Sequence, residues 1–492
     1  MISKKFLQSS LIYSVVGALP YASGFILILW FTRYLTPAQF GLNVLYISLM
    51  YFIQIISTFG LDMSAAIMSI DYKDEVGRLK RFIGTVLLGL ILIGGMTFIL
   101  FLFGGFQLFN HVFSKESILI LLPFGLFTII SAVLNGVFKT YSSFLIYQQR
   151  PVRFFWLNIF NFLMTIGVSL LLLYLYPFTL YGPILGRLIA AVFTSSITFF
   201  LIAKEYGFQW ERTFFKPIFS FSSPLMLYAI LLWTVSYIDR FILLRFLNDP
   251  VPVGIYDFGV KIVLLVDLLQ VGLVNTINPI IFRIWKDQNL SESTVEVNRY
   301  YNGLTAFTLV LIPLLVLLTP IIIPFLISNA IYYQAFGLLA VLAAGYASRI
   351  WTFMFMAPLL FFKRTYSLPK VFGYSAIFEV IAAIVLIHFF GLMGAVWVNF
   401  LVKPIQAFFL YLEARKVFTF RFNKWKILYL PIIFMVVVLS SEILITDSTR
   451  LLFHAGQLLL SCTMIYFIYR KEMVFVVKNV LNKRLSQGSS PR

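Results

Sequence analysis

The chain has 492 residues, of which 61% are hydrophobic and 12% charged, and its formal net charge is +19. Soluble globular domains carry about 25% charged residues, so this balance excludes that class. The apolar residues gather in runs of about 20, the length that crosses roughly 30 Å of hydrocarbon as a helix. The ten-residue alternation of a membrane β-barrel is missing. One cysteine, Cys462, rules out an internal disulfide, and His111, His388 and His454 have no partners at metal-ligating spacing.

In chain order, MISKKFLQSS places Lys4 and Lys5 before an apolar run that continues to Trp30. That run is too long for the core of a cleavable signal and reads as a first helix that stays in the membrane. Hydropathy predicts fourteen spans, near 12–32, 42–68, 82–103, 117–138, 154–176, 183–203, 218–246, 254–281, 302–328, 333–361, 370–389, 391–412, 426–445 and 450–469. No connection is long enough for a soluble domain. Residues 472–485, which mix Val474, Phe475 and Val476 with Lys478, Lys483 and Arg484, read as an interfacial helix. The tail SQGSSPR reads as disordered.

Most of the 38 Lys and Arg residues fall at the termini and in the links after even-numbered spans. The links after odd-numbered spans hold only Arg33, Lys115 and Arg450. The positive-inside rule then places both termini in the cytoplasm. The basic excess is mostly a topology signal and suits an anionic inner leaflet, not nucleic acid.

A short internal repeat suggests the architecture. Arg33-Tyr-Leu-Thr-Pro-Ala-Gln-Phe-Gly41 links spans 1 and 2, and Arg245-Phe-Leu-Asn-Asp-Pro-Val-Pro-Val-Gly254 links spans 7 and 8. The copies lie six spans apart, an even number, so both enter the membrane in the same direction. The expected fold is an all-α polytopic membrane protein of about fourteen helices, with two six-helix lobes related by a pseudo-twofold along the membrane normal. The expected domains are 1–213 (helices 1–6), 214–420 (helices 7–12), and 421–492, which holds two extra helices and a cytoplasmic tail.

Ten ionisable groups fall inside spans: Arg187, Arg240, Arg245, Lys261, Arg349, Lys403, Asp239, Asp257, Asp267 and Glu379. Facing lipid unpaired they would cost on the order of 25–35 kcal/mol, against about 5–15 kcal/mol for a whole fold. Most must therefore face protein or water. Helical rise puts Asp239, Arg240 and Lys261 at similar depth, with Asp257 one turn from Lys261 on the same face. Two arrangements fit. Asp257–Lys261 and Asp239–Arg240 form neutral pairs, or Arg240, Arg245 and Lys261 form a cationic wall for phosphate or acidic sugars, a task that suits the guanidinium fork. Glu379 and Lys403 fit a structural pair, Arg349 is a cavity candidate, and Arg187 reads as an interfacial anchor. Asp267 and Asp257 are the candidates for an ion-coupling group, because burial raises a carboxylate's pKa. Nothing in the spacing identifies a proton or sodium as the coupled ion, and no cofactor or metal is expected. Pro20, Pro224, Pro279, Pro358 and Pro404 interrupt spans as kinks. Gln54, Asn135, Asn158 and Asn161 either bind sugar hydroxyls or join helices.

Pro20, Gly24, RYLTPAQFG, FGLDMSA and DYKDEVGRLKR, with the later SYIDRFILLRF and VGIYDFGVKI, resemble the polysaccharide transporter family. That family includes Wzx-type flippases, in the superfamily of multidrug exporters and lipid II flippases. The resemblance implies two lobes around a central cavity and alternating access. The implied substrate is a polyprenyl-pyrophosphate-linked oligosaccharide, an O-antigen, capsule or exopolysaccharide repeat unit, crossing the cytoplasmic membrane. It also implies membrane lipids and other polysaccharide-assembly proteins as partners, and no enzymatic step. The chain departs from the pattern in one place: Ala66-Ile67-Met68 stands where an arginine is implied near the end of span 2, which leaves the N-terminal lobe short of a cation. The alternatives are a multidrug-type or other small-solute exporter, a lipid II flippase, and a membrane glycosyltransferase or polymerase.

Overall fold

A computed structural model of the chain describes residues 12, 13, 16, 17, 19–72, 75–113, 118–287, 294–364, 366–444, 447–472 and 474. The terminal stretch MISKKFLQSS, Lys115, most of the expected interfacial helix and the tail SQGSSPR lie outside them. The described residues are almost entirely helical and include no strand. Eleven of their helices are long and apolar enough to cross a membrane, so the protein is a multi-pass membrane protein. The chain divides into two compact units, Met1–Gly254 and Ile255–Arg492.

The first unit holds α1 (Leu19–Tyr34), α2 (Pro37–Thr58), α3 (Leu61–Met68), α4 (Val76–Leu100), α5 (Phe106–Phe113), α6 (Leu126–Tyr147), α7 (Pro151–Leu175), α8 (Gly186–Tyr206) and α9 (Arg212–Leu247), and the start of α10 (Pro250–Asp287). Phe82, Leu87, Tyr141, Phe144 and Leu145 are at most 2% exposed in its core. Phe103, Tyr174 and Phe200 lie on the outer surface, as expected where the solvent is lipid. Three π-helical turns, Phe101–Gly105, Leu121–Gly125 and Tyr181–Leu185, precede α5, α6 and α8.

The two repeat copies share one local logic. Thr36 caps α2: its hydroxyl accepts from Gln39 N at 3.2 Å, and the Gln39 side chain accepts from Thr36 N at 3.0 Å. Pro37 follows at the first helical position, where its missing N–H costs nothing. In the second copy Asp249 Oδ1 accepts from Val251 N at 2.9 Å, ahead of Pro250. The matching glycines then meet. A Cβ on Gly41 would lie 1.8 Å from the Pro250 carbonyl oxygen, and one on Gly254 would lie 3.1 Å from the Pro37 carbonyl oxygen. This near-reciprocal backbone contact is why both copies need glycine. Thr36→Ala, which removes half of the capping box, is expected to cost about 1 kcal/mol, read as a lower thermal unfolding midpoint in detergent.

Two expected spans differ in shape from their prediction. Span 2 is not one helix over 42–68. Phe59 (φ 51°) and Gly60 (φ +75°) are both left-handed and separate α2 from α3. Span 4 continues past 138 to Tyr147, which brings Lys139, read from sequence as a link residue, inside α6.

The second unit holds the rest of α10, α11 (Thr294–Leu326), α12 (Phe336–Ala344), α13 (Arg349–Phe361), α14 (Ser367–Ala414), α15 (Leu430–Leu444) and α16 (Asp447–Met464). Although α14 is continuous in hydrogen bonding, it contains a hairpin. Gly391 has φ 56° and ψ −129°, the first central position of a type II′ turn. The chain folds back there: the Tyr374 and Phe409 ring centroids are 5.4 Å apart, and a Cβ on Gly394 would lie 2.1 Å from the Leu386 carbonyl oxygen. The last helices are tied to the unit by polar bonds. Lys426 pairs with Glu472 at 2.6 Å, Asn302 donates to Glu472 at 3.4 Å, and Trp351 Nε1 donates to the Ile427 carbonyl at 2.6 Å.

Candidate functional site

The first unit encloses a cavity of about 480 Å³. Each helix lines it with one face. Tyr51 and Gln54 on α2 are i, i+3; Asn135, Phe138 and Lys139 on α6 are i, i+3, i+4; Asn158, Asn161, Phe162 and Thr165 on α7 are i, i+3, i+4, i+7. Ser23 of α1, Arg187 of α8 and Tyr237 of α9 complete the polar lining.

Arg187 sits in the first turn of α8, directly after the third π turn. Two glycines hold this corner against α7. A Cβ on Gly182 would lie 2.5 Å from Leu173 Cγ, and one on Gly186 would lie 2.5 Å from Ser169 Oγ and 2.7 Å from Ser169 Cα. With no side chains in the way, the start of α8 packs closely on α7 and the guanidinium enters the cavity instead of the membrane surface. The expectation of an interfacial anchor is therefore corrected. Arg187 Nε is buried with no hydrogen-bond partner, and among the described residues no carboxylate pairs with it. Lys139, the other lining cation, pairs with Asp62 at 2.8 Å and is 47% exposed. The N-terminal unit thus has cations of its own despite Ala66-Ile67-Met68.

The four amides singled out in the sequence, Gln54, Asn135, Asn158 and Asn161, all line this cavity. Asn158 is committed to structure, donating to Ser142 Oγ at 3.0 Å and to the Phe154 carbonyl at 2.8 Å. Gln54, Asn135 and Asn161 make no side-chain hydrogen bond among the described residues, which leaves their donors and acceptors open to a ligand. Tyr51 and Tyr237 form an aromatic wall, with ring centroids 5.7 Å apart. Ordered behind it is Trp233, whose Nε1 donates to the Ser48 carbonyl at 2.8 Å.

The other sequence candidates fall elsewhere. Arg240 is 3% exposed and Asp239 1%. Arg240 Nη1 lies 2.9 Å from Asp239 Oδ1 and donates to the Ser236 carbonyl at 2.6 Å, and the guanidinium sits 5.2 Å from the Tyr237 ring centroid. Tyr237, not Arg240, reaches the cavity. Arg245 is half-buried near the end of α9 and does not line it.

In the second unit, Lys261 pairs with Asp257 at 2.6 Å along α10, the lysine 30% and the aspartate 4% exposed. Arg349 Nε donates to Asp267 at 3.1 Å and its Nη1 to Gln406 at 3.2 Å, over the Phe353 ring. The structure thus supplies the partner that sequence spacing did not. Lys403 donates to the Asn399 carbonyl at 2.7 Å and to the Asn399 side chain, 4.6 Å from the Tyr346 ring centroid. Glu379 is 1% exposed.

A helical multi-pass chain enclosing a polar, cation-bearing chamber has the build of a membrane transporter. The chain belongs to the polysaccharide biosynthesis protein family, whose model matches residues 6–285, more than half its length. Solved structures with a similar fold include a lipid II flippase MurJ in an inward closed conformation (TM-score 0.71, 16% identity, covering 93% of this chain and 99% of that one). Also similar is an inward-facing multidrug resistance MATE family transporter of the MOP superfamily (TM-score 0.65, 14% identity, 82% and 94% covered). A third is a MOP superfamily transporter from Pyrococcus furiosus (TM-score 0.56, 13% identity, 84% and 95% covered). No curated protein sequence matches the chain.

Proposed function

We propose that the protein is a flippase that moves a polyprenyl-pyrophosphate-linked oligosaccharide across the cytoplasmic membrane by alternating access. In this reading fourteen spans, with both termini cytoplasmic, form two six-helix lobes and two added helices. The observation that carries it is Arg187, a cation without an acidic partner in a cavity with three uncommitted amides. An ionised guanidinium there favours a phosphate or acidic sugar, which it can hold through two parallel hydrogen bonds. The amides suit sugar hydroxyls, and the Tyr51–Tyr237 wall suits the apolar face of a sugar ring. The polyprenyl tail stays in lipid, and no bond is made or broken. Binding drives transport only if the headgroup interacts differently with the two states.

The surplus positive charge argues against an exporter of organic cations. A lipid II flippase shares the same headgroup chemistry and is the second reading, supported by the likeness to MurJ. The family membership and these folds support a transporter over a membrane glycosyltransferase or polymerase. The deciding experiment reconstitutes the protein in liposomes and follows translocation of polyprenyl-pyrophosphate oligosaccharide, with lipid II as the competing substrate. No movement of either overturns the proposal.

The Asp267–Arg349–Gln406 group is the proposed site of coupling to a proton or sodium gradient. Asp267→Asn is expected to leave transport running but insensitive to the imposed gradient. Unchanged gradient dependence in a liposome assay refutes that assignment.

A further inference from the structure

The cavity lies between two contacts at opposite ends of the α2–α3 segment, and both contacts are made with α9 or the turn that follows it. At one end, the Gly41 backbone touches Pro250 and the Gly254 backbone touches Pro37. At the other, beyond the left-handed Phe59–Gly60 break, a Cβ on Gly60 would lie 2.6 Å from the Ser222 carbonyl oxygen. There the Ser64 and Ser222 hydroxyls are 2.6 Å apart, both residues being 0% exposed. Met50, Tyr51 and Gln54, which line the cavity, fall between these ends, which are about 28 Å apart along the helix axis.

We propose that these contacts are two latches, and that the serine latch is the one that opens from this conformation. The glycine latch is backbone against backbone, with no space for a methyl group on Gly41. The serine latch is closed by one neutral hydroxyl pair. Its two sides are also the deformable parts of their helices. On one side the helix is already broken at Phe59–Gly60. On the other, Pro217 and Pro224 flank Ser222 inside α9, and each removes a backbone hydrogen bond and lets the helix bend. Opening at Ser64–Ser222 exposes the cavity to one side of the membrane while the glycine latch seals the other. This inference needs the cavity but not the identity of its ligand.

The test uses labelling, so it stands apart from any transport assay. Cys462 is the sole cysteine, and Cys462→Ser gives a blank background. Asn161→Cys then reports cavity exposure to a charged, membrane-impermeant methanethiosulfonate in right-side-out and inside-out vesicles. Ser222→Ala is expected to speed labelling from one side only, by about fivefold, the factor that one neutral hydrogen bond is worth. Gly41→Ala is expected to speed it from the opposite side only. Should Gly41→Ala fail to fold, Gly254→Ala, whose new Cβ meets its nearest neighbours at 3.1 Å, replaces it. Ser64→Cys with Ser222→Cys is expected to form a disulfide under mild oxidant and to abolish labelling from the side that Ser222→Ala opens. Acceleration from the same side by both substitutions, no response to Ser222→Ala, or failure of the cysteine pair to bond overturns the proposal.

Discussion

Arg187→Ala is expected to weaken binding of the lipid-linked headgroup by about 10- to 100-fold, the loss of one or two hydrogen bonds to a charged group. The same substitution is expected to leave the protein as stable or more stable. The two effects separate because of the cavity's geometry. The guanidinium has no carboxylate to neutralise it and its Nε is buried without a partner, so the empty protein bears a desolvation cost that only an anionic ligand offsets. Arg187→Lys keeps the charge but loses the fork, and should recover part of the affinity. Binding measured by fluorescence or calorimetry, set beside thermal unfolding in detergent, checks both. A large loss of stability with unchanged binding would falsify the ligand role and make Arg187 a structural residue.

Gly394→Val is expected to prevent correct assembly of the second unit. The new Cβ would sit 2.1 Å from the Leu386 carbonyl oxygen and 2.6 Å from Ile387 N. These are backbone atoms that cannot swing aside as a side chain would. Overpacking by a methylene or two commonly costs about 1–3 kcal/mol, and a clash with backbone exceeds that. Gly391→Ala is the milder companion, at about 1–3 kcal/mol for a non-glycine residue in a strained backbone region. Yield and monodispersity after detergent extraction read the first, and the unfolding midpoint reads the second. A well-behaved Gly394→Val protein would show that the hairpin tolerates a wider turn than its packing indicates.

Much of the fold was legible because lipid imposes a length on every apolar run. The junction near residue 390 between two expected spans coincides with the Gly391 turn, and the repeat motifs mark the two turns whose glycines touch. What sequence could not convey was helix orientation. Arg187 follows Pro183 and Gly186, a pattern that suits a membrane-surface corner. Only the close packing of Gly182 and Gly186 on α7 shows that the corner is turned inward. Lys139 was hidden by a boundary set nine residues short. The amides were visible as polar residues in apolar spans, and their recurrence at i, i+3 on α7 was the available clue that Asn158 and Asn161 share a face. Asp267 and Arg349 lie far apart in the chain and on different helices, and no periodicity within one helix announces such a partner.

The π turn at Tyr181–Leu185 carries one more residue than the α-helical turn it replaces. Removing a single residue there would restore regular winding and swing everything downstream by about 100° around the axis. Arg187 would then point at a neighbouring helix or the acyl chains. The chamber's charge is thus set by an irregularity in winding as much as by the arginine itself, and a homologue that keeps the arginine but loses the extra residue should not share its chemistry.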